Sequence, residues 1–514
     1  MNNLPASRSI GIDAIFQFTG IGAQVFSGTV FYIIVVRLFN TSAVGAISVF
    51  VAIIGLFNIV FQFGLGTGAQ HFISYHMGRN DLGAARRTLI KVVGYGFLFS
   101  LIGFAFLYMI SPIISLTLLH SASYSYLVKL LGIVLLGNVL FGILNGALLG
   151  MQSFKLSGLL NMMIWIAYYF GAVLLALFVR DLLTIILGWI IGISVGVVME
   201  AIIVLRLALR FQGNGQGVSN GFLFNYSIPI LLSMTIAYGA VYADRFVVAG
   251  LMTLSQLGIY NFALLIATSL SFLASPFNNI LLPKFSEWYS KGMFDPIRQN
   301  ARVAVLLLSS IYIPAAVGIV TLSRFILMLL AGPVYMSAAF PLDIIMLISA
   351  VFIGQNVIVQ SLAAIRRTKV FLVSSVASLS ANVVVSFTLI PYLGIVGASL
   401  GFSSVFIVTF VILYYFANKY GIASTNLGGT AKIWFASALM FVCVHLVSVY
   451  TGENFVFLPL YIILGVLIYI LVVRTIRVFS KNDIDLLLSF FPISGSIFQR
   501  ILTFVLGGKS MVSD

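Results

Sequence analysis

The dominant pattern along this chain is a series of long apolar runs separated by short polar segments. We count 14 such runs, each of roughly 20 residues, which is the length of helix that spans the hydrocarbon core of a bilayer. In hydrocarbon every backbone N–H and C=O must be paired, and the alternating apolar and polar positions of a membrane β-barrel are not seen. The pattern therefore predicts an all-α integral membrane protein with about 14 transmembrane helices.

Approximate limits follow for the predicted spans, and a proline interrupts three of them in a way that suits helices that bend. The expected limits are 13–36, 46–70, 92–118, 127–150, 158–179, 183–207, 222–243, 257–282, 303–325, 336–361, 370–391, 394–417, 431–450 and 455–476. The three prolines are Pro229, Pro276 and Pro314, in spans seven, eight and nine. Small residues also recur four apart, which lets helix backbones approach closely. They are Gly142, Gly146 and Gly150 in span four, and Gly188, Gly192 and Gly196 in span six.

Two stretches of the chain follow the same plan, which indicates an internal repeat. Aligning Ser42 with Ser255 also aligns Gly45 with Gly258, an offset of about 213 residues. The offset predicts two six-helix pseudo-repeats that run the same way through the membrane. The predicted division is a first repeat over 1–212, a flexible linker over 213–221, a second repeat over 222–425, two additional helices over 426–480, and a cytoplasmic or interfacial tail over 481–514.

The distribution of charge orients the protein. The chain is 61% hydrophobic and 8% charged, with a net charge of +15. In a soluble protein that charge would suggest nucleic acid, but placing the N-terminus inside puts 22 of the 27 basic residues on the inner side. Lys and Arg accumulate on the cytoplasmic side of membrane proteins and contact anionic lipid. We therefore predict a multi-pass protein of the cytoplasmic membrane with both termini cytoplasmic and no nucleic-acid partner.

Polar residues inside the spans are the first candidates for function. Asp13, Gln17, Gly20, Gln24 and Ser27 are spaced to form one stripe along span one. Asn58 and Gln62 lie four apart in span two, and Ser233 occupies a matching position in span seven. Such residues either join helices by hydrogen bonds or line a water-filled cavity, and both interpretations stay open here.

Charged residues within or near the spans form a second group. Arg37, Asp244 and Arg245 fall near the outer ends of spans, where side chains reach the interface and could serve only as anchors. Asp244 could also be a coupling-ion site or a structural charge. Glu200 lies deeper, in span six, and could bind a coupling ion or be held neutral by its surroundings.

No pattern in the sequence indicates a cofactor, a metal or a catalytic centre. The glycines of Gly213-x-Gly215-x-Gly217 follow no strand and precede no Gly-Lys-Ser/Thr. The four histidines lack the spacing of metal ligands, and the outer loops are about a dozen residues or shorter. We therefore predict that the protein is not an enzyme and uses no cofactor.

The segment that begins at Tyr242, YADRFVVAGLMTLSQLGIYNFALLIATSLSFLASPFNNILLPKFSEWYSKG, resembles the start of the second half of prokaryotic polysaccharide transporters. These are O-antigen-type flippases of the multidrug/oligosaccharidyl-lipid/polysaccharide (MOP) exporter superfamily. The similar features are Asp244-Arg245, a Leu-Gly-Ile-Tyr turn, and Leu-x-Pro before an inner loop that ends in Lys-Gly. The earlier segment from VVRLFNTSAVGAISVF to HMGRND is similar to the first half of that family.

The resemblance implies a V-shaped bundle of two six-helix halves with two extra helices. It also implies movement of a polyprenyl-linked oligosaccharide across the membrane by alternating access, with membrane lipid as a second partner. By position, Arg37 and Arg245 are the candidate partners of the substrate phosphate, and Asp13, Gln17, Gln24, Asn58, Gln62 and Ser233 are the candidate cavity lining. The alternative is a multidrug or organic-cation antiporter of the same superfamily, in which Asp13 and Glu200 would bind H⁺ or Na⁺.

Overall fold

The structure is a computed structural model that describes residues 6–423, 425–451, 455–480 and 483. The predicted interfacial tail therefore lies outside the described residues, apart from Asp483. Helices make up nearly all of the described chain, which contains no strand. Within it, 14 helical segments are long and apolar enough to cross a membrane. The prediction of an all-α membrane protein with about 14 spans is confirmed, because backbone groups in hydrocarbon are satisfied within each helix. The cytoplasmic location of the termini stays a prediction.

The chain forms two compact units, Met1–Asn261 and Phe262–Asp514. The first contains α1 Ala6–Leu38, α2 Thr41–Gln62, α3 Leu65–Gly78, α4 Leu82–Thr117, α5 Ser125–Gly150, α6 Phe154–Phe178, α7 Leu182–Ala208, α8 Asn220–Leu251 and the beginning of α9 Leu254–Ser271. The second contains the end of α9 followed by α10 Ser275–Ser290, α11 Phe294–Thr321, α12 Ser323–Ala331, α13 Ala339–Val351, α14 Gln355–Ala364, α15 Lys369–Leu393, α16 Ile395–Lys419, α17 Leu427–Tyr450 and α18 Leu458–Thr475. The predicted limits of the repeats stay predictions.

Three of the predicted spans are broken helices. The span expected at 46–70 is divided between α2 and α3 by Phe63 and Gly64, whose φ angles are 54° and 68°. A left-handed residue ends an α-helix, and glycine takes that conformation without a Cβ clash. The span expected at 257–282 is divided into α9 and α10 by the 3₁₀ turn Phe272–Ala274, and the span expected at 336–361 is divided into α13 and α14 by a turn at residues 352–354.

Prolines lie inside two of the spanning helices. Helices α8 and α11 continue through Pro229 and Pro314, and the bends expected there stay predictions. Pro276 lies at the start of α10, where its missing N–H has no partner within the helix in any case.

Glycines place helices of the first unit in backbone contact. A Cβ added at Gly146 of α5 would lie 2.1 Å from the carbonyl oxygen of Gly66 in α3. One added at Gly188 of α7 would lie 2.3 Å from the Cα of Ala172 in α6. The packing role predicted for the small residues is confirmed at these positions, because only a hydrogen side chain allows so close an approach.

The start of α2 contacts the start of α9 at positions that the sequence offset makes equivalent. A Cβ at Gly45 would lie 1.8 Å from the carbonyl oxygen of Leu254, and a Cβ at Gly258 would lie 2.2 Å from that of Thr41. The offset of about 213 residues relates one pair to the other, because it aligns Gly45 with Gly258 and Thr41 with Leu254. Within the first unit, the start of α2 and the start of α9 therefore pack on each other through equivalent glycines, and the hydroxyls of Thr41 and Ser255 join them at 2.7 Å.

The predicted flexible linker lies against the beginning of α4. The backbone N–H of Val218 donates to the Thr88 hydroxyl at 3.0 Å, and the Lys91 ammonium donates to the Val218 carbonyl at 2.6 Å. A Cβ at Gly215 would lie 1.9 Å from a carboxylate oxygen of Asp81. The glycines of this segment therefore allow close packing of an extended chain, in addition to any freedom that they give it.

Candidate functional site

Two charged residues lie buried at the end of α8, where the chain turns into α9. Asp244 is 0% exposed and Arg245 is 7% exposed. The Tyr260 hydroxyl donates to the Asp244 carboxylate at 2.6 Å. Nε of Arg245 donates to the Asn261 side-chain oxygen at 3.3 Å, and another of its nitrogens donates to the Val241 carbonyl at 2.8 Å. Both side chains are therefore buried within the first unit against the beginning of α9, and the roles that the sequence left open for them stay predictions.

Tyrosines from three helices surround Arg245. Its guanidinium lies 4.2 Å from the ring centroid of Tyr242, which stacks on Tyr238 at 4.2 Å. Tyr32 of α1 is buried in the same neighbourhood as Tyr169, Arg245 and Asn261. The Tyr–Arg cluster, defined as Tyr32, Tyr169, Tyr238, Tyr242 and Arg245, combines π faces, hydroxyls and one cation.

The polar stripe of α1 faces α6. The Gln17 side chain donates to the Phe154 carbonyl at 2.6 Å, and the Ser27 hydroxyl contacts the Trp165 carbonyl at 3.5 Å. Between them, a Cβ at Gly20 would lie 2.8 Å from the Gly158 carbonyl oxygen. Gln17 and Ser27 therefore hold α1 against α6 by hydrogen bonds. Gln24 is half-buried on the same helix, and the side chain of Asp13 lies outside the described residues.

The remaining candidates are spread over the first unit. Asn58 and Gln62 are half-buried on α2, and the Asn58 side-chain oxygen is enclosed without a hydrogen-bond partner among the described residues. The Gln62 amide lies over Gly142 of α5. Arg37 is exposed in the last turn of α1, and Ser233 is exposed on α8. The structure thus groups only Arg245 and Asp244, and the cavity-lining role of the others stays a prediction.

Glu200 of α7 is fully buried, at 0% exposure. Its Oε1 accepts a hydrogen bond from the Asn145 side-chain amide of α5 at 3.3 Å. The same amide donates to the Ser157 hydroxyl of α6 at 3.1 Å. Glu200 therefore lies in a polar group contributed by three helices, which the sequence did not indicate.

The second unit contains an apolar groove between α11, α12, α17 and α18. It encloses about 490 Å³, and Pro314, Gly318, Val444, Gly465 and Tyr469 are among its walls. Its few hydroxyls are occupied elsewhere: Tyr469 donates to the Ser310 carbonyl at 2.8 Å, and Tyr461 bonds to Thr451. The groove therefore presents hydrocarbon to whatever enters it.

Outside the spans, the structure offers little acid–base chemistry. Lys291 hydrogen-bonds to Glu287 at 2.7 Å and lowers the pKa of that exposed carboxyl. Burial lowers the pKa of His76, at the end of α3. The described residues contain no group of three side chains that could hold a metal ion.

Comparison with protein families places this chain. Residues 34–340, more than half of the chain, match the family described as polysaccharide biosynthesis protein. The chain belongs to that family, and its family and fold are of the transporter type. No curated protein sequence matches it.

Solved structures of MOP-type transporters share the fold. The lipid II flippase MurJ, in an inward closed conformation, aligns with a TM-score of 0.74 at 16% identity, over 90% of this chain and 99% of that chain. An inward-facing multidrug resistance MATE family transporter of the MOP superfamily aligns with a TM-score of 0.62 at 13% identity, over 77% of this chain and 94% of that chain. A MOP superfamily transporter from Pyrococcus furiosus aligns with a TM-score of 0.55 at 11% identity, over 80% of this chain and 95% of that chain. The resemblance noted in the sequence is confirmed, and the chain is a multi-pass protein of the cytoplasmic membrane.

Several residues that complete the two buried sites were not among the candidates from the sequence. The amides Asn145 and Asn161 lie in long apolar runs and belong to no polar stripe like that of span one. The tyrosines were also not among the candidates, although Tyr238 and Tyr242 lie four apart on one face of α8. A search for amides and hydroxyl-bearing rings within spans would have found them, because such groups also need partners in hydrocarbon.

Proposed function

We propose that this protein moves a polyprenyl-linked oligosaccharide across the cytoplasmic membrane for the assembly of a cell-surface polysaccharide, by alternating access. The observation that carries the proposal is the family match over residues 34–340. The fold shared with a lipid II flippase supports it. The proposed activity is transport, without a chemical change in the substrate.

The Tyr–Arg cluster supports this function through its chemistry. A lipid-linked sugar carries hydroxyl-rich rings and a phosphate or diphosphate. Tyrosine rings pack against the C–H faces of sugars, their hydroxyls exchange hydrogen bonds, and a guanidinium attracts phosphate. We assign Arg245 an electrostatic role, since the bonds to Asn261 and Val241 already occupy part of its guanidinium. Arg37, exposed at the end of α1, is the more accessible candidate for direct phosphate contact.

The apolar groove of the second unit supports a lipid-linked substrate. A hydrocarbon chain gains about 25 cal/mol for each Å² of apolar surface that it removes from water. In a bilayer that gain is already made, so the groove would act by shape and van der Waals packing. We therefore assign the groove of α11, α12, α17 and α18 to the polyprenyl chain.

The second candidate function is export of organic cations in exchange for H⁺ or Na⁺. The fold shared with a multidrug resistance MATE family transporter and the buried Glu200 favour it. The family match favours the flippase, because polysaccharide biosynthesis has no evident need of a drug exporter. The two functions differ in the substrate that moves.

A translocation assay tests the proposed function. Purified protein in proteoliposomes would receive a fluorescent polyprenyl-diphosphate oligosaccharide, whose exposure on each leaflet is read by a membrane-impermeant quencher. We expect protein-dependent movement, slowed about tenfold by Arg245→Lys, which keeps the charge and loses the planar guanidinium. Arg180→Lys, at an exposed site in the α6–α7 connection, is the matched control and should leave the rate unchanged.

The other outcomes assign the protein differently. Movement at the same rate in both variants would keep the flippase and remove Arg245 from its mechanism. No movement of the lipid, together with export of organic cations driven by H⁺ or Na⁺, would replace the flippase with the antiporter.

A further inference from the structure

Three helices of the first unit bring polar side chains to one level around Glu200. Gly192 and Gly196 of α7 pack on Tyr168 and Ile164 of α6. The two helices are antiparallel, so a step of four residues forward on α7 corresponds to four residues back on α6. Continuing one more turn places Glu200 opposite Leu160 and Asn161. Helix α5 runs parallel to α7, with Gly137 beside Ile193, and the same register brings Asn145 to Glu200. We name Glu200, Asn145, Ser157 and Asn161 the Glu200 nest.

The Glu200 carboxyl is poorly satisfied for a buried charge. Its single hydrogen bond within the described residues is the one from Asn145, at 3.3 Å. Its Oε2 is enclosed and has no hydrogen-bond partner there. An ionised carboxylate needs several donors or a cation to offset its loss of hydration, which amounts to several kcal/mol. One neutral amide does not supply that.

The nest contains amide nitrogens that donate hydrogen bonds. They favour a proton over a metal cation as the species that neutralises the Glu200 carboxylate. The Asn145 nitrogen points to both Glu200 and Ser157. The Asn161 nitrogen points to the carbonyl and hydroxyl oxygens of Ser157, at 3.0 and 3.5 Å. A sodium ion requires a shell of oxygen ligands, whereas a proton on Oε2 removes the charge without one.

No described basic residue offsets the charge of Glu200. Helix α5 carries no ionisable side chain from Leu130 to Gly150. On α6 the nearest is Lys155, whose ammonium lies 5.1 Å from the Phe16 ring of α1. Tyr168, two turns beyond Asn161, stacks on Trp189. On α7, Arg206 is exposed, more than one turn beyond Glu200.

The nest also borders a half-buried polar face. Asn161 contacts Gly20 of α1, 3.2 Å from the position of an added Cβ. Gln17, one turn away on α1, is half-buried and bonds to the beginning of α6. Asn161 and Ser157 therefore lie between the enclosed carboxyl and the α1–α6 contact, so the nest lies beside a half-buried polar surface.

From these contacts we propose that the Glu200 nest is a reversible proton-binding site. The Glu200 carboxylate takes one proton from water and returns it to water, with no other bond formed or broken. That this proton drives the movement of the substrate is a second step, which rests on the function proposed above. If a proton is loaded in one conformation and released in another, its gradient biases the transport cycle.

Infrared difference spectroscopy between acidic and basic pH tests the site without any transport. The full-length protein in lipid nanodiscs should show the C=O stretch of a buried carboxylic acid at low pH, lost at high pH and missing in Glu200→Gln. Glu287→Gln is the control, since Glu287 is exposed and paired with Lys291; it should keep that band. Asn145→Ala, which leaves the carboxyl and removes its donor to the ionised form, should make the band persist to higher pH.

Three spectroscopic results would overturn the site. The first is a spectrum of Glu200→Gln that matches the wild type. The second is a Glu200 band that does not change with pH. The third is a band removed by sodium at constant pH, which would assign the nest to a metal cation.

The coupling step is tested in the proteoliposomes described above, with a pH gradient across the membrane. The gradient should change the wild-type rate of lipid movement about fivefold or more. Glu200→Gln should abolish this response, whereas Glu287→Gln, at an exposed carboxyl paired with Lys291, should keep it. An equal response in the wild type and Glu200→Gln would overturn the coupling. A band that titrates while no lipid moves would leave the proton site intact and refute the proposed function instead.

Discussion

At the scale of single residues, the buried charges of this protein depend on partners from the next helix. Asp244 of α8 accepts a hydrogen bond from Tyr260 of α9, and Arg245 donates one to Asn261. In each pair the residue of α9 lies 16 positions later in the chain. The turn at Met252 and Thr253 is short, so the two helices are held at a fixed register. A charged side chain can remain inside the unit because its hydrogen bonds replace those of water.

Tyr260→Phe tests this account of Asp244. The substitution removes the hydroxyl that donates at 2.6 Å to a carboxylate with 0% exposure. Because hydrogen bonds to charged groups contribute about 1.5–3 kcal/mol, we expect the free energy of unfolding to fall by about that amount. Thermal unfolding of the detergent-solubilised protein, followed by fluorescence-detected size exclusion, reports the change.

Tyr335→Phe is the matched control for that experiment. The Tyr335 hydroxyl is enclosed without a hydrogen-bond partner among the described residues, so its removal should be neutral or stabilising. Equal losses of stability in the two variants would show that the Asp244–Tyr260 bond contributes nothing of its own.

At the scale of helices, close contact at glycine decides how elements cross. The crossing of α2 with the start of α9 is the clearest example, because Gly45 and Gly258 each lie against a backbone carbonyl of the other helix. The two glycines are equivalent under the repeat offset, so both sides of the contact use the same arrangement of a glycine against a backbone carbonyl. An added methyl group would meet backbone, which cannot rotate away as a side chain can.

Gly45→Ala tests the crossing. Its Cβ would lie 1.8 Å from the Leu254 carbonyl oxygen, so we expect a loss of about 1–3 kcal/mol from overpacking, despite the better helix propensity of alanine. Gly250→Ala, on α8, meets no atom within 4 Å and should be neutral or stabilise by up to about 1 kcal/mol. The same unfolding assay measures both, and a stable Gly45→Ala protein would disprove the close crossing.

At the scale of the whole molecule, the two units carry different kinds of surface. The first unit contains the Tyr–Arg cluster and the Glu200 nest, and the second contains the apolar groove. The broken helices α2–α3, α9–α10 and α13–α14 lie in both units, and such breaks survive in a bilayer only where protein or water covers the exposed backbone.

Gly318→Leu tests the groove as the site of the lipid chain. Gly318 lines the groove and meets no atom within 4 Å, so leucine there would fill part of the volume without a clash. We expect slower movement of a long polyprenyl substrate in the translocation assay and little change for a short-chain analogue. Gly250→Leu, at an open position of the other unit, should slow neither, and an equal effect of the two leucines would argue against the groove.

Much of the fold could be predicted from the sequence, because each spanning helix depends only on its own run of residues. Whether an apolar run of about 20 residues forms a spanning helix depends on the run itself, because hydrocarbon leaves its backbone no other partner. The number of spans, the membrane location and the equivalence of Gly45 with Gly258 could therefore be read from the chain alone. The resemblance to polysaccharide transporters was likewise carried by a contiguous stretch of residues.

The partners of buried polar groups could not be predicted in the same way, because they depend on the register between helices. The sequence placed Arg245 and Asp244 near an interface, and the packing of α9 enclosed them. It identified Glu200 without a partner, and the crossing of α5, α6 and α7 supplied Asn145, Ser157 and Asn161. The sequence by itself thus determined which segments enter the membrane, since that depends on local hydrophobicity. Only the tertiary structure decided which polar side chains meet there. Packing makes neighbours of residues such as Asn145 and Glu200, which lie 55 positions apart in the chain.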